Sequence, residues 1–169
     1  MTKNLYIKQK VFKITDHYPV LDEEERVHYY VDEDFRFFGL SVNISDPKGT
    51  VLCHIEKKVI ALLPTFYLHF SNGLELEMKS RFTFLRQVID VGPSSLGMTI
   101  EGNIMDHDFS VFMGNRKIGH IHKKFLSWGD TYHLEIEDEE YELLFIGMVV
   151  AVDHIIDERE SSSSANIQS

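Results

Sequence analysis

The residues whose spacing could do coordination chemistry are three of the nine histidines in this 169-residue chain. His120-Ile121-His122 puts two imidazoles on one face of a strand, because strand side chains alternate with period two. His133 falls on the strand expected beside it, and three imidazoles make a zinc-type donor set. Against this, an HxH pair is a common accident in a histidine-rich chain. No HExxH and no cysteine pair accompanies it, so structural or surface histidines are the weightier reading.

A second chemistry is the binding of an anion. Lys57-Lys58, Arg116-Lys117 and Lys123-Lys124 are the cation pairs suited to an acidic head group. Neighbouring lysines on a strand face opposite ways, so each pair offers one ammonium to a site. The competing reading is edge-strand lysines that discourage aggregation. The acidic runs Asp22 to Glu25 and Glu137 to Glu140 lack the DxDxDG pattern of a calcium loop and read as solvated turns. Asp106-His107-Asp108 reads as a turn in which short polar side chains bond their own backbone. Asp153, Asp157, Glu158 and Glu160 fall at the end of the expected helix, where negative charge needs a counter-charge or an ion. Cys53 is the single thiol and reads as a small core residue rather than a nucleophile. No P-loop, GxGxxG, GxSxG or CxxC is present, so no catalytic residues and no cofactor are expected.

These side chains must be positioned by β-structure. Leu5 to Ile14, Val27 to Val31, Phe37 to Ile44, Val51 to Ile55, Phe66 to Phe70 and Leu74 to Met78 alternate with period two. So do Leu96 to Ile100, Phe109 to Met113, Lys117 to Ile121 and Tyr132 to Ile136. Asp46-Pro47-Lys48-Gly49 and Ser71-Asn72-Gly73 supply hairpin turns. About ten to twelve short strands at this spacing predict a sandwich or barrel. Gly39 to Phe70 and Asp108 to Ile136 also match each other. Ser41-Val42 aligns with Ser110-Val111, His54-Ile55 with His120-Ile121, and Lys57-Lys58 with Lys123-Lys124.

The run Leu143 to Val152, continued by Ile155-Ile156, is apolar on every side. It is longer than most strands and shorter than the ~20 residues of a membrane span. A helix apolar all round must be buried. A closed barrel wider than ~8 strands needs contents, and a helix ~10–12 Å across suits eleven or twelve strands. One domain over residues 1–157 is expected, followed by a disordered serine-rich tail, 158–169.

Charge narrows the partners. The chain carries -10, which argues against nucleic acid. Residues 131–169 hold 1 basic and 10 acidic residues, whereas 40–130 hold 10 and 9, leaving room for a local basic patch. Charges interrupt every apolar stretch of the N-terminus, unlike a secretory signal. With a lone cysteine, this makes the cytoplasm the expected location.

Phe125 to Ile156 resembles the C-terminal block of the LURP-one-related family, within the Tubby C-terminal-like superfamily that also holds the phospholipid scramblases. Gly129-Asp130-Thr131-Tyr132, Leu134-Glu135-Ile136 and the apolar run ending in Asp153 carry the likeness. Ile100 to Asn103 and Ile55 to Pro64 add to it. The resemblance covers roughly Leu5 to Asp157. It implies a twelve-stranded antiparallel barrel around a central C-terminal helix, and it implies no catalytic residue set. The leading functional expectation is a non-enzymatic binding or scaffold module for an anionic lipid head group, a small ligand or a protein partner. A scramblase-like membrane-associated protein, or a metal-dependent enzyme using His120, His122 and His133, are the alternatives. The oligomeric state stays open.

Overall fold

The computed structural model describes residues 2–8, 17–35, 39–58, 63–82, 87–92, 97–103, 106–126 and 129–165. Twelve strands follow one another: β1 (Lys3–Lys8), β2 (His17–Leu21), β3 (Val27–Phe35), β4 (Leu40–Ser45), β5 (Val51–Lys57), β6 (Thr65–Phe70), β7 (Glu75–Phe82), β8 (Gln87–Gly92), β9 (Met98–Asn103), β10 (Asp108–Met113), β11 (Arg116–Leu126) and β12 (Gly129–Ile136). Each pairs antiparallel with its neighbours in sequence, and β12 pairs with β1 to close the barrel. A helix, α1 (Glu142–Ala165), follows β12. The twelve-stranded barrel and its C-terminal helix confirm the expected fold.

Alternation is visible stave by stave. In β4, Leu40, Val42 and Ile44 are buried while Ser41 and Asn43 lie between them. In β12, Tyr132, Leu134 and Ile136 form the same inward row. These rows close on α1, whose Phe145, Ile146, Met148, Val149, Ala151 and Val152 are buried around its whole circumference. Inward side chains and helix form one continuous core. Among the described residues no helix is long and apolar enough to cross a membrane.

Polar contacts fix the depth of the helix. Near its start the buried Glu142 accepts from Tyr29 Oη at 2.8 Å and pairs with Lys3 Nζ at 3.2 Å. Further along, Tyr132 Oη donates to the buried Asp153 Oδ1 at 2.8 Å. Glu158 is held by Lys57, whose ammonium also lies 3.3 Å from His154 Nε2. For Glu158 the counter-charge that a late carboxylate requires is therefore a lysine of β5. The helix continues past residue 157 to Ala165. Elongating a helix already nucleated by packing costs little per residue, and Ser161 Oγ donates to the Asp157 carbonyl at 2.8 Å. Residues 166–169 lie outside the described ones.

The repeated segments become β4–β6 and β10–β12, diametrically opposite in the twelve-strand order. Both carry a bulge in their first hairpin, between Ile44 and Ser45 and between Val111 and Phe112. Aligning these bulges makes Ser41 equivalent to Asp108 and Asn43 to Ser110, two residues away from the alignment drawn on sequence. In the later strands Ile55 faces Leu68 as Ile121 faces Leu134, as the sequence match implied.

Candidate functional site

Outward-facing side chains of β10, β11, β12 and β1 build a polar cluster on the barrel wall. Register makes it: His122 lies opposite His133, His120 opposite Glu135, and Tyr6 opposite His133. His120-Ile121-His122 on β11 thus faces His133-Leu134-Glu135 on β12, with Ile121 and Leu134 turned to the core.

Two of the rings are oriented from behind. His120 Nε2 donates to Asp108 Oδ1 at 2.8 Å, which leaves its Nδ1 3.8 Å from Glu135 Oε2. His133 Nε2 donates to Asn4 Oδ1 at 2.9 Å, which leaves Nδ1 3.3 Å from His122 Nε2 and 3.8 Å from Glu135 Oε1. Asn4 is itself fixed by donating from Nδ2 to Glu23 at 2.6 Å. Tyr6 stacks on His133 with centroids 4.6 Å apart and planes 5° from parallel. His122 Nδ1 is sealed from solvent and has no hydrogen-bond partner among the described residues. Such buried orphans are uncommon.

The structure therefore brings His120, His122 and His133 together, as the sequence suggested, and adds Glu135. Ligand atoms of His120, His122 and Glu135 all lie within 4.8 Å of one another. The missed signal was an HxE one strand beyond the HxH. Asp108, read as a turn residue, opens β10 and orients His120. It also lines a groove of about 520 Å³ between β9 and β10, with Glu101, Asn103, Asp106, Ser110 and Phe112.

Only 6% of His133 is exposed. Burial, then the charge of Lys124 and the ring of His122, push its pKa down to about 4. Burial also lowers that of His122. Because the folded His133 resists protonation, the unfolded chain takes up its proton first as pH falls. Its contribution to stability is complete above about pH 6.5 and is lost as pH falls toward about 4. We expect the urea midpoint to decline over that window and His133→Asn to decline less steeply. Parallel urea titrations at pH 7 and pH 5 measure this, and equal declines would remove His133 as the cause.

The six cations do not converge. Lys57 and Lys123 sit at equivalent places of the two repeats and turn inward at the same end of the barrel. Lys57 meets Glu158, and the Lys123 ammonium lies 5.9 Å from the Tyr132 ring centre. Lys58 and Lys124 are exposed at that rim, Lys58 lying 5.9 Å from the ring centre of Tyr67. Arg116 and Lys117 are exposed at the other end of β11. Cys53 is buried, and burial pushes its thiol up to about 12, which keeps it an unreactive core residue.

The profile of the LURP-one-related family matches residues 3–153. An uncharacterised protein of Bacillus subtilis (strain 168), YxjI, is similar to this chain. It is 31% identical over 159 residues, covering 93% of this chain and 97% of the relative. No solved structure matches. The match spans the barrel strands from β1 to β12 and most of the buried part of α1, and on that extent the chain belongs to the LURP-one-related family.

Proposed function

We propose that this protein is a non-enzymatic binding module that meets its ligand on the outer surface of the barrel. The observation that carries this is the filled lumen. Phe145, Met148, Val149 and Val152 are sealed against inward rows from the staves, so the space in which a ligand-carrying barrel holds its cargo is occupied by the chain itself. The same packing favours binding over scramblase-like insertion, because the long apolar segment is already consumed inside.

The ligand favoured at the rim is an anionic lipid surface, met by Lys58 and Lys124. Lys58 directly follows β5 and Lys124 is on β11, strands that run the same way and lie opposite one another in the barrel order. A flat surface touches both at once, whereas a single small head group reaches one. Flotation of the full chain with vesicles tests this. Phosphoinositide-containing vesicles are expected to carry the protein at low salt, less so at physiological salt, and neutral vesicles not at all. Lys58→Glu with Lys124→Glu should weaken the association on the order of a hundredfold. Lys57→Glu is the wrong probe, because it breaks the internal pair with Glu158. Absence of flotation in every lipid would discard the membrane and leave a protein partner for the outer wall.

A further inference from the structure

We propose that the wall formed by β10, β11, β12 and β1 carries a binding site for a zinc-type divalent transition-metal ion, with His120, His122 and Glu135 as ligands and His133 as the fourth. The site lies beside Lys124 of the cationic rim but is built from other residues. Its first support is convergence: two imidazoles and a carboxylate from two adjacent strands place donor atoms within 4.8 Å of one another, and the third imidazole adds Nδ1 at 3.3 Å from one of them. Ligands bound tetrahedrally at ~2.0–2.1 Å stand roughly 3.3 Å apart. Small rotations, chiefly of the half-exposed Glu135 side chain, close the remaining distance, while the strands stay fixed.

The second support is the outer layer. Metal-binding histidines characteristically give their distal N–H to a carboxylate or carbonyl, which fixes the tautomer and aims the other nitrogen. His120 does this with Asp108 and His133 with Asn4, so in each ring it is Nδ1 that faces the cluster, and in the metal-free protein His133 Nδ1 shares a hydrogen bond with His122 Nε2. The remaining ring, His122, presents Nε2 to the cluster, 3.3 Å from His133 Nδ1, while its other nitrogen, Nδ1, is buried without a hydrogen-bond partner among the described residues and takes no part in the coordination.

The opposite repeat shows what the same frame looks like with other residues. His54 is equivalent to His120, Glu56 to His122, Tyr67 to His133 and His69 to Glu135. There His54 bonds Asn43 at 2.7 Å and Glu56 at 3.1 Å, and no cluster with metal-ligand spacing forms among the described residues of that wall. Donor type selects the ion. Imidazole with one carboxylate suits zinc, copper, nickel or cobalt, and calcium or magnesium requires an all-oxygen shell.

The test is titration of the tag-free full chain with Zn²⁺ alone, read by competition with a chromophoric chelator. One ion per chain at micromolar or tighter affinity is expected, with Ca²⁺ leaving the site empty. His120→Ala, His122→Ala and Glu135→Gln should each weaken binding at least tenfold. Asp108→Asn should weaken it about tenfold through His120, and His54→Ala should leave it unchanged. Co²⁺ loaded into the unmodified protein gives a readout that needs no variant: strong visible absorption marks four-coordinate nitrogen–oxygen ligation, and a pale octahedral spectrum counts against it. Binding that is weaker than millimolar, or that survives the His120, His122 and Glu135 changes in folded protein, or that falls equally in His54→Ala, would overturn the assignment.

Discussion

Gly119→Ala is expected to destabilise the barrel by about 3 kcal/mol or more, a large fraction of the ~5–15 kcal/mol that holds a domain together. Gly119 faces inward on β11, beside the bulge that follows Lys117. A Cβ there would stand 2.3 Å from the Glu135 carbonyl oxygen and 2.4 and 2.5 Å from the ring of Phe145. The ring belongs to the central helix and the carbonyl to the neighbouring stave, so neither can swing aside without shifting an element. Overpacking usually costs 1–3 kcal/mol, and a backbone obstacle raises it. Urea denaturation measures the loss. The two obstacles separate in a double-mutant cycle. Shrinking the ring with Phe145→Leu should relieve part of the Gly119→Ala penalty, about 1 kcal/mol, while the carbonyl clash persists. Strict additivity would mean that the ring and the glycine are not packed as knob and hole.

The fold was legible because two periodicities are clean. Period two along β4 or β12 sorts core from surface, and a segment apolar on all sides can only be enclosed, as Phe145 to Val152 are. The strands that alternation did not single out are β2 and β8. β2 carries Pro19, which has no N–H for a ladder, and among the described residues its register with β1 is Tyr6 opposite Leu21 alone. Contacts from Asn4 to Glu23 and Lys8 to Glu25 help to close that seam. The histidine cluster was half legible. Spacing along one strand put His120 beside His122, and the cross-strand partners Glu135, Asp108 and Asn4 depend on register, which composition does not encode. The lysines show the same divide. Alternation said that one of each pair faces out. That Lys57 and Lys123 are the inward members follows once Ile55 and Ile121 are known to be buried.

A chain ending at Tyr141 is expected not to form the barrel at all. The truncation removes Leu144, Phe145, Ile146, Met148, Val149, Val150, Val152, Ile155 and Ile156, all at least 95% buried. Full burial of such a side chain contributes roughly 1.5–3 kcal/mol. Even discounted for a compact unfolded state, the sum exceeds the net stability of a domain. The inward rows of Val42, Ile55, Leu68 and Leu134 would then face an empty lumen too wide to collapse on itself without changing strand number or tilt. Loss of a cooperative urea transition, binding of a hydrophobic dye and aggregation are the expected readouts. Val149→Asp is the point version: it places an unpaired carboxylate in the middle of the core, and a penalty above about 4 kcal/mol is expected. A truncated chain that instead unfolds cooperatively, with slowly exchanging strand amides, would show that the staves stand without their filling. It would also open the lumen to an outside ligand, and the case for a module that binds only on its outer wall would fall with it.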